Sequence, residues 1–172
     1  LTLVIATKGI DVSVGSTVAI SAAMVAFLIG GSMDGTGTPL VLAMAGALVI
    51  SLLAGLWNGI LVSRFRMQPI IATLILYVAG RGIAQLITNG QIVTIYYEPF
   101  FYIGNGFFLG LPVSIFITLT VLACALVMTR RTALGLFIES IGINPTASRY
   151  IGIKSETILM MIYGFCGLTA GI

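Results

Sequence analysis

From Leu40 to Ser63 the chain carries no charged side chain, and that run narrows the folds open to it more than any other feature. A helix that crosses a bilayer needs roughly 20 mostly apolar residues. In lipid it must pair its backbone polar groups internally, which a helix does. Four further apolar stretches qualify or nearly so: residues 1–29, 70–88, 112–129 and 155–172. Hydrophobic residues make up 59% of the 172 and charged ones only 8%, with mean hydropathy +1.16. A soluble domain carries roughly 25% charged residues. The expectation is an all-α, polytopic transmembrane helical bundle, a single domain over 1–172 with no soluble domain. The opening has no initiating Met, basic region or cleavage site, and the last apolar run stops at Ile172. The chain therefore reads as a piece of a longer membrane protein, incomplete at both ends.

The connections set the expected orientation. Arg64 and Arg66 lie between the second and third spans; Arg130, Arg131, Arg149 and Lys154 lie between the fourth and fifth. The connections 30–39 and 89–111 hold only Asp34 and Glu98 as charges. The positive-inside rule puts 64–69 and 130–154 in the cytoplasm. The net charge of +3 is scattered among apolar runs and offers no nucleic-acid surface. Lys8 and Arg81 fall within spans, where a charge costs at least about 2.5–3.5 kcal/mol on insertion scales.

The first span is interrupted. In "GIDVSVG" Gly9, Asp11, Ser13 and Gly15 alternate with Ile10, Val12 and Val14, a period of two inside a helical run. Glycine at both margins permits a local extended break. Backbone freed at that depth must be satisfied by protein or cavity water, and such breaks commonly line translocation pathways. Asp11 or Ser13 capping a new helix near Val14 is the plainer account, and the two are compatible. Lys8 either pairs with Asp11 or reaches the cytoplasmic interface; the second is favoured, because few residues precede it.

Small residues recur every four positions as Ser51, Gly55, Gly59 and Ser63, and again as Gly167 and Gly171. That spacing lets helix backbones approach closely in lipid. Asn58 is an interhelical hydrogen-bond donor or acceptor, worth about 0.6 kcal/mol on average, or a solute contact. Arg81 and Gln85 share one face of the third span and face either a buried partner or a pathway. The outer connection is rich in aromatics: Tyr96, Tyr97, Phe100, Phe101, Tyr102, Phe107 and Phe108. An interfacial belt explains them first, docking of a partner second. Cys124 and Cys166, with no His in the chain, read as small apolar residues rather than metal ligands. In the loop 130–154, Asn144-Pro145 reads as an N-cap with Pro at the first helical position, opening a short helix to Tyr150 that stops before Gly152.

Taken together, these motifs resemble a known family. "ATKGIDVSVGS" is similar to the signature "TGGIDLSVGS" of membrane permeases of bacterial ABC importers for monosaccharides, of the ribose, xylose and galactose type. Lys8 departs from the glycine usual there. Residues 54–94 resemble the same family, most closely its galactofuranose-type permeases. Residues 132–154 resemble its cytoplasmic loop A-x-G-x-N-x-x-A-A-x-x-x-G-I. Gly142, Asn144, Ala147 and Gly152 match that loop, while Ser148 stands where alanine is commoner. The resemblance implies a coupling helix that seats in a cytoplasmic ATP-binding-cassette subunit. It also implies a periplasmic sugar-binding protein and a second permease copy or paralogue, all in the bacterial inner membrane. ATP would be used by the separate subunit; the chain has no P-loop motif, and no cofactor, catalytic group or enzyme activity is expected of it. The expected cargo is galactose, galactofuranose or a ribose-like sugar. The alternatives are a branched-chain amino acid permease of the same machinery and a secondary transporter. A purely structural membrane subunit would leave the break unexplained.

Overall fold

A computed structural model describes residues 1–30, 40–95, 98–108 and 110–172. Asp34, Tyr96 and Tyr97 lie outside them. The first expected span is two helices, α1 (Thr2–Ala6) and α2 (Val14–Gly30), with the chain in neither helix nor strand from Gly9 to Val12. The charge-free run forms α3 (Leu40–Ser63) from end to end. Pro69 opens α4 (Pro69–Ile87), its fixed φ already helical and its missing N–H no loss at a first turn. The outer connection holds α5 (Glu98–Asn105) and a two-residue antiparallel hairpin. Its strands are β1 (Phe107–Phe108) and β2 (Leu111–Pro112), pairing Phe107 with Pro112 and Phe108 with Leu111. Phe108 meets Phe116 edge to face at 5.8 Å, and Phe101, Tyr102, Phe107 and Phe108 are exposed.

Helix α6 (Val113–Arg131) ends on Arg130 and Arg131. The stretch 130–154, expected as a loop with one short helix, holds two. Helix α7 (Ala133–Ile143) precedes the expected α8 (Pro145–Tyr150), and α9 (Ser155–Ala170) follows. Helix α7 exists because Ile138 and Ile141 recur at helical spacing and are buried against Val4 of α1 and Ile158, Ile162 and Tyr163 of α9. The contact with Val4 links segments more than a hundred residues apart.

Three described helices, α3, α4 and α6, are long and apolar enough to cross a membrane; α2 and α9 are apolar but shorter. The tightest seam is α3 against α9. Gly55 lies on the Tyr163 carbonyl and the Gly167 backbone, Gly59 would place a Cβ 2.9 Å from the Met160 Cα, and Gly167 and Gly171 abut Ser51. Ser51, Gly55, Gly59 and Ser63 are all buried. Helix α2 packs between α3 and α4, where Gly80 would put a Cβ 2.9 Å from Ser16 Cβ. No residue of α6 is buried. On the Arg-rich side Glu156 lies 3.7 Å from Arg64 and 4.0 Å from Arg149, half-exposed pairs worth little. Glu139 has no ion pair among the described residues. Lys8, Arg66 and Asn89 take φ of 60°, 53° and 50°, the left-handed region favouring glycine.

Candidate functional site

The break is a closed polar knot. Asp11 Oδ1 accepts the Ser13 N–H at 2.9 Å and the Ser13 hydroxyl at 2.6 Å, an aspartate folding the chain onto its own backbone before α2 begins. Ser13 in turn accepts from Asn58 Nδ2 of α3 at 2.8 Å. The Ser13 carbonyl starts α2, taking the Thr17 N–H at 3.0 Å and the Ser16 hydroxyl at 2.7 Å. Asp11, Ser13 and Asn58 are buried, Asn58 completely. The Asp11 carboxylate thus closes a turn on Ser13 just before α2, and no bond from it or from the Ser13 hydroxyl to the first N–H groups of α2 is seen among the described residues.

Backbone exposed by the break is met by α4. Thr73 Oγ1 accepts the Val12 N–H at 3.3 Å and lies 3.4 Å from the Ile10 carbonyl, while its own hydrogen is shared with the Pro69 carbonyl at 3.0 Å. Tyr163 of α9 closes the other side, its hydroxyl 2.7 Å from where a Cβ on Gly9 would stand. Any side chain at Gly9 would displace that hydroxyl. Among the described residues the Tyr163 hydroxyl and Asn58 Oδ1 are buried without a hydrogen-bond partner. Such orphans are costly in a low-dielectric interior.

Thr73 and Tyr163 were not legible as site residues. The available signal was α4's own small-residue face, Ala72, Thr73, Gly80 and Ala84, which is its buried face. Arg81 and Gln85 sit elsewhere. Both are exposed, and Arg81 folds onto its own helix, Nη1 3.2 Å from the Tyr77 hydroxyl and the guanidinium 5.9 Å from that ring. The structure does not bring them to the break. Gly15 is exposed, with open space around it.

The four loop residues also separate. Asn144 Oδ1 caps α8, accepting from the N–H groups of Thr146 and Ala147 at 3.1 Å each. Ala147 is exposed on α8, and Gly152 takes φ 88° just beyond it, a conformation glycine adopts freely. Gly142 instead is buried, its α-carbon facing the Ala6 carbonyl of α1. Lys8 does not pair with Asp11; its Nζ reaches the Ile143 carbonyl at 3.2 Å, on the exposed side.

Residues 1–172 match in full the family described as "Branched-chain amino acid transport system / permease component". The chain belongs to that family. As a member it is a multi-pass membrane protein. Its relatives include the galactofuranose transporter permease protein YtfT of Escherichia coli K12, 47% identical over all of this chain and 49% of the relative. The fructose import permease protein FruF of Bifidobacterium longum is 39% identical across all of this chain and 48% of its own length. The ribose import permease protein RbsC of E. coli K12 is 35% identical across all of this chain and 53% of its own. The chain thus spans about half the length of the curated relatives it matches. No solved structure matches it.

Proposed function

We propose that the chain belongs to the permease subunit of an ATP-binding-cassette importer that carries a monosaccharide across a bacterial inner membrane. The observation that carries this reading is 47% identity along every residue to a galactofuranose permease, with fructose and ribose permeases next. The cargo is a galactose-type or ribose-like sugar rather than a branched-chain amino acid, although the family description names the latter. The break supports it: a hydroxyl-bearing solute needs neutral donors and acceptors in an apolar setting, which Ser13, Asn58 and Tyr163 supply. Conformational work comes from ATP used by a separate cytoplasmic subunit, docked on α8; the permease itself is not an enzyme. A periplasmic binding protein delivers sugar to the outer, aromatic-rich side, and a second permease copy or paralogue completes the pathway.

The test is uptake by cells carrying the intact parent and its partner genes, with labelled galactose, ribose and leucine supplied separately. Sugar uptake that vanishes when the ATPase is disrupted is expected. Uptake that survives ATPase loss and collapses with the proton gradient would make the protein a secondary transporter. A finer prediction concerns docking. Asn144→Ala removes both cap bonds and should cost α8 about 1 kcal/mol. Uptake should fall while basal ATP hydrolysis by the assembled importer persists; unchanged uptake would show that α8 needs no cap to couple.

A further inference from the structure

We propose that Lys8 is a positioning residue that clasps the docking helix to the helix break, so that movement at α8 is transmitted to Asp11 and Ser13. The proposal rests on the importer reading above. Helix α1 ends in a Schellman turn: the Gly9 N–H bonds the Val4 carbonyl at 3.0 Å, and the Lys8 N–H bonds the Ile5 carbonyl at 2.9 Å. In that turn the residue at position 8 must be left-handed, and Lys8 has φ 60°. Glycine, which stands at the matching place in the signature that residues 6–16 resemble, adopts that conformation freely. A lysine there is strained where glycine is not, and its side chain has a visible use. Nζ donates to the Ile143 carbonyl, at the C-terminal, electronegative end of α7.

The contact joins two short paths. Ile143 is followed directly by Asn144, the cap of α8, and Lys8 directly by Gly9, the first residue of the break. Beside it Gly142 faces the Ala6 carbonyl with no room for a side chain, so the last turns of α1 and α7 meet backbone to backbone. Val4, Ile138 and Ile141 bury the same joint from within. A tight, apolar-backed joint transmits displacement, where a flexible loop would absorb it.

The test uses the intact importer in proteoliposomes with its ATPase and binding protein, measuring sugar moved per ATP hydrolysed alongside thermal stability. Lys8→Gly relieves the backbone strain and removes only the clasp. It should leave stability at or above that of the native chain, yet lower transport per ATP by at least about fivefold, the lower end of ordinary coupling free energies. Lys8→Arg keeps a cation within reach and should stay within about twofold of native. A Lys8→Gly importer with native stoichiometry overturns the clasp, as does an equal loss in a stable Lys8→Arg. Native importer showing no ATP-dependent uptake would instead remove the reading on which the clasp depends.

Discussion

Gly55→Leu should leave the intact permease unable to fold to a stable state. The obstacle to a side chain at position 55 is backbone: the Tyr163 carbonyl, with the Gly167 Cα and N at 3.0 and 3.1 Å. Overpacking ordinarily costs about 1–3 kcal/mol, relieved when side chains shift rotamer. Here relief requires α3 and α9 to separate, which also opens the contacts at Gly59 and Ser51. The expected result is a loss at the top of that range or beyond, read as a collapse of the thermal transition of purified protein and absence of uptake. Gly82→Leu is the control, since nothing lies within 4 Å of its Cβ position. If the two variants melt alike, the seam is not what holds these helices together.

The second large effect is at Asp11. Asp11→Ala strips the Ser13 N–H and hydroxyl of their acceptor at a buried site, a penalty of about 1–3 kcal/mol for each group left unpaired. Uptake should fall by an order of magnitude or more, about what 1.4 kcal/mol or more implies. Asp11→Asn keeps an oxygen at the same place and removes only the charge. It should fold like the native protein and retain most of the uptake. A folded Asn variant as inactive as Ala would show that the carboxylate's charge, not its bonds to Ser13, is what transport requires.

What could be read from the chain was what has a short period. The alternation at Gly9, Asp11 and Ser13 marks where helix gives way, and the four-residue spacing from Ser51 to Ser63 marks the face that meets α9. Asn144-Pro145 marks the start of α8 because a cap and its helix are neighbours in sequence. What could not be read depends on partners far along the chain. Thr73 serves the break from 61 residues away and Lys8 reaches 135 residues on to Ile143. Periodicity carries no trace of such pairings. Helix α7 was hidden in part for that reason: Ile138 and Ile141 stand at helical spacing, but the Val4 side of their burial comes from α1 at the other end of the chain. Arg81 and Gln85 show the converse: a polar stripe shows which residues share a face but not which way the face turns.

Arg66 sits in the left-handed region between α3 and α4, where a non-glycine residue costs roughly 1–2 kcal/mol. It has no ion pair among the described residues, and the turn around it is closed by the Met67 N–H on the Leu61 carbonyl at 3.2 Å. On the orientation expected from the loop charges, its cation would hold the tip of the α3–α4 hairpin on the cytoplasmic side as the two helices enter the bilayer. Arg66→Gly should then yield a more stable molecule and a larger share of chains inserted upside down. On that expectation, a strained residue in the finished fold would be an instruction read once, during synthesis.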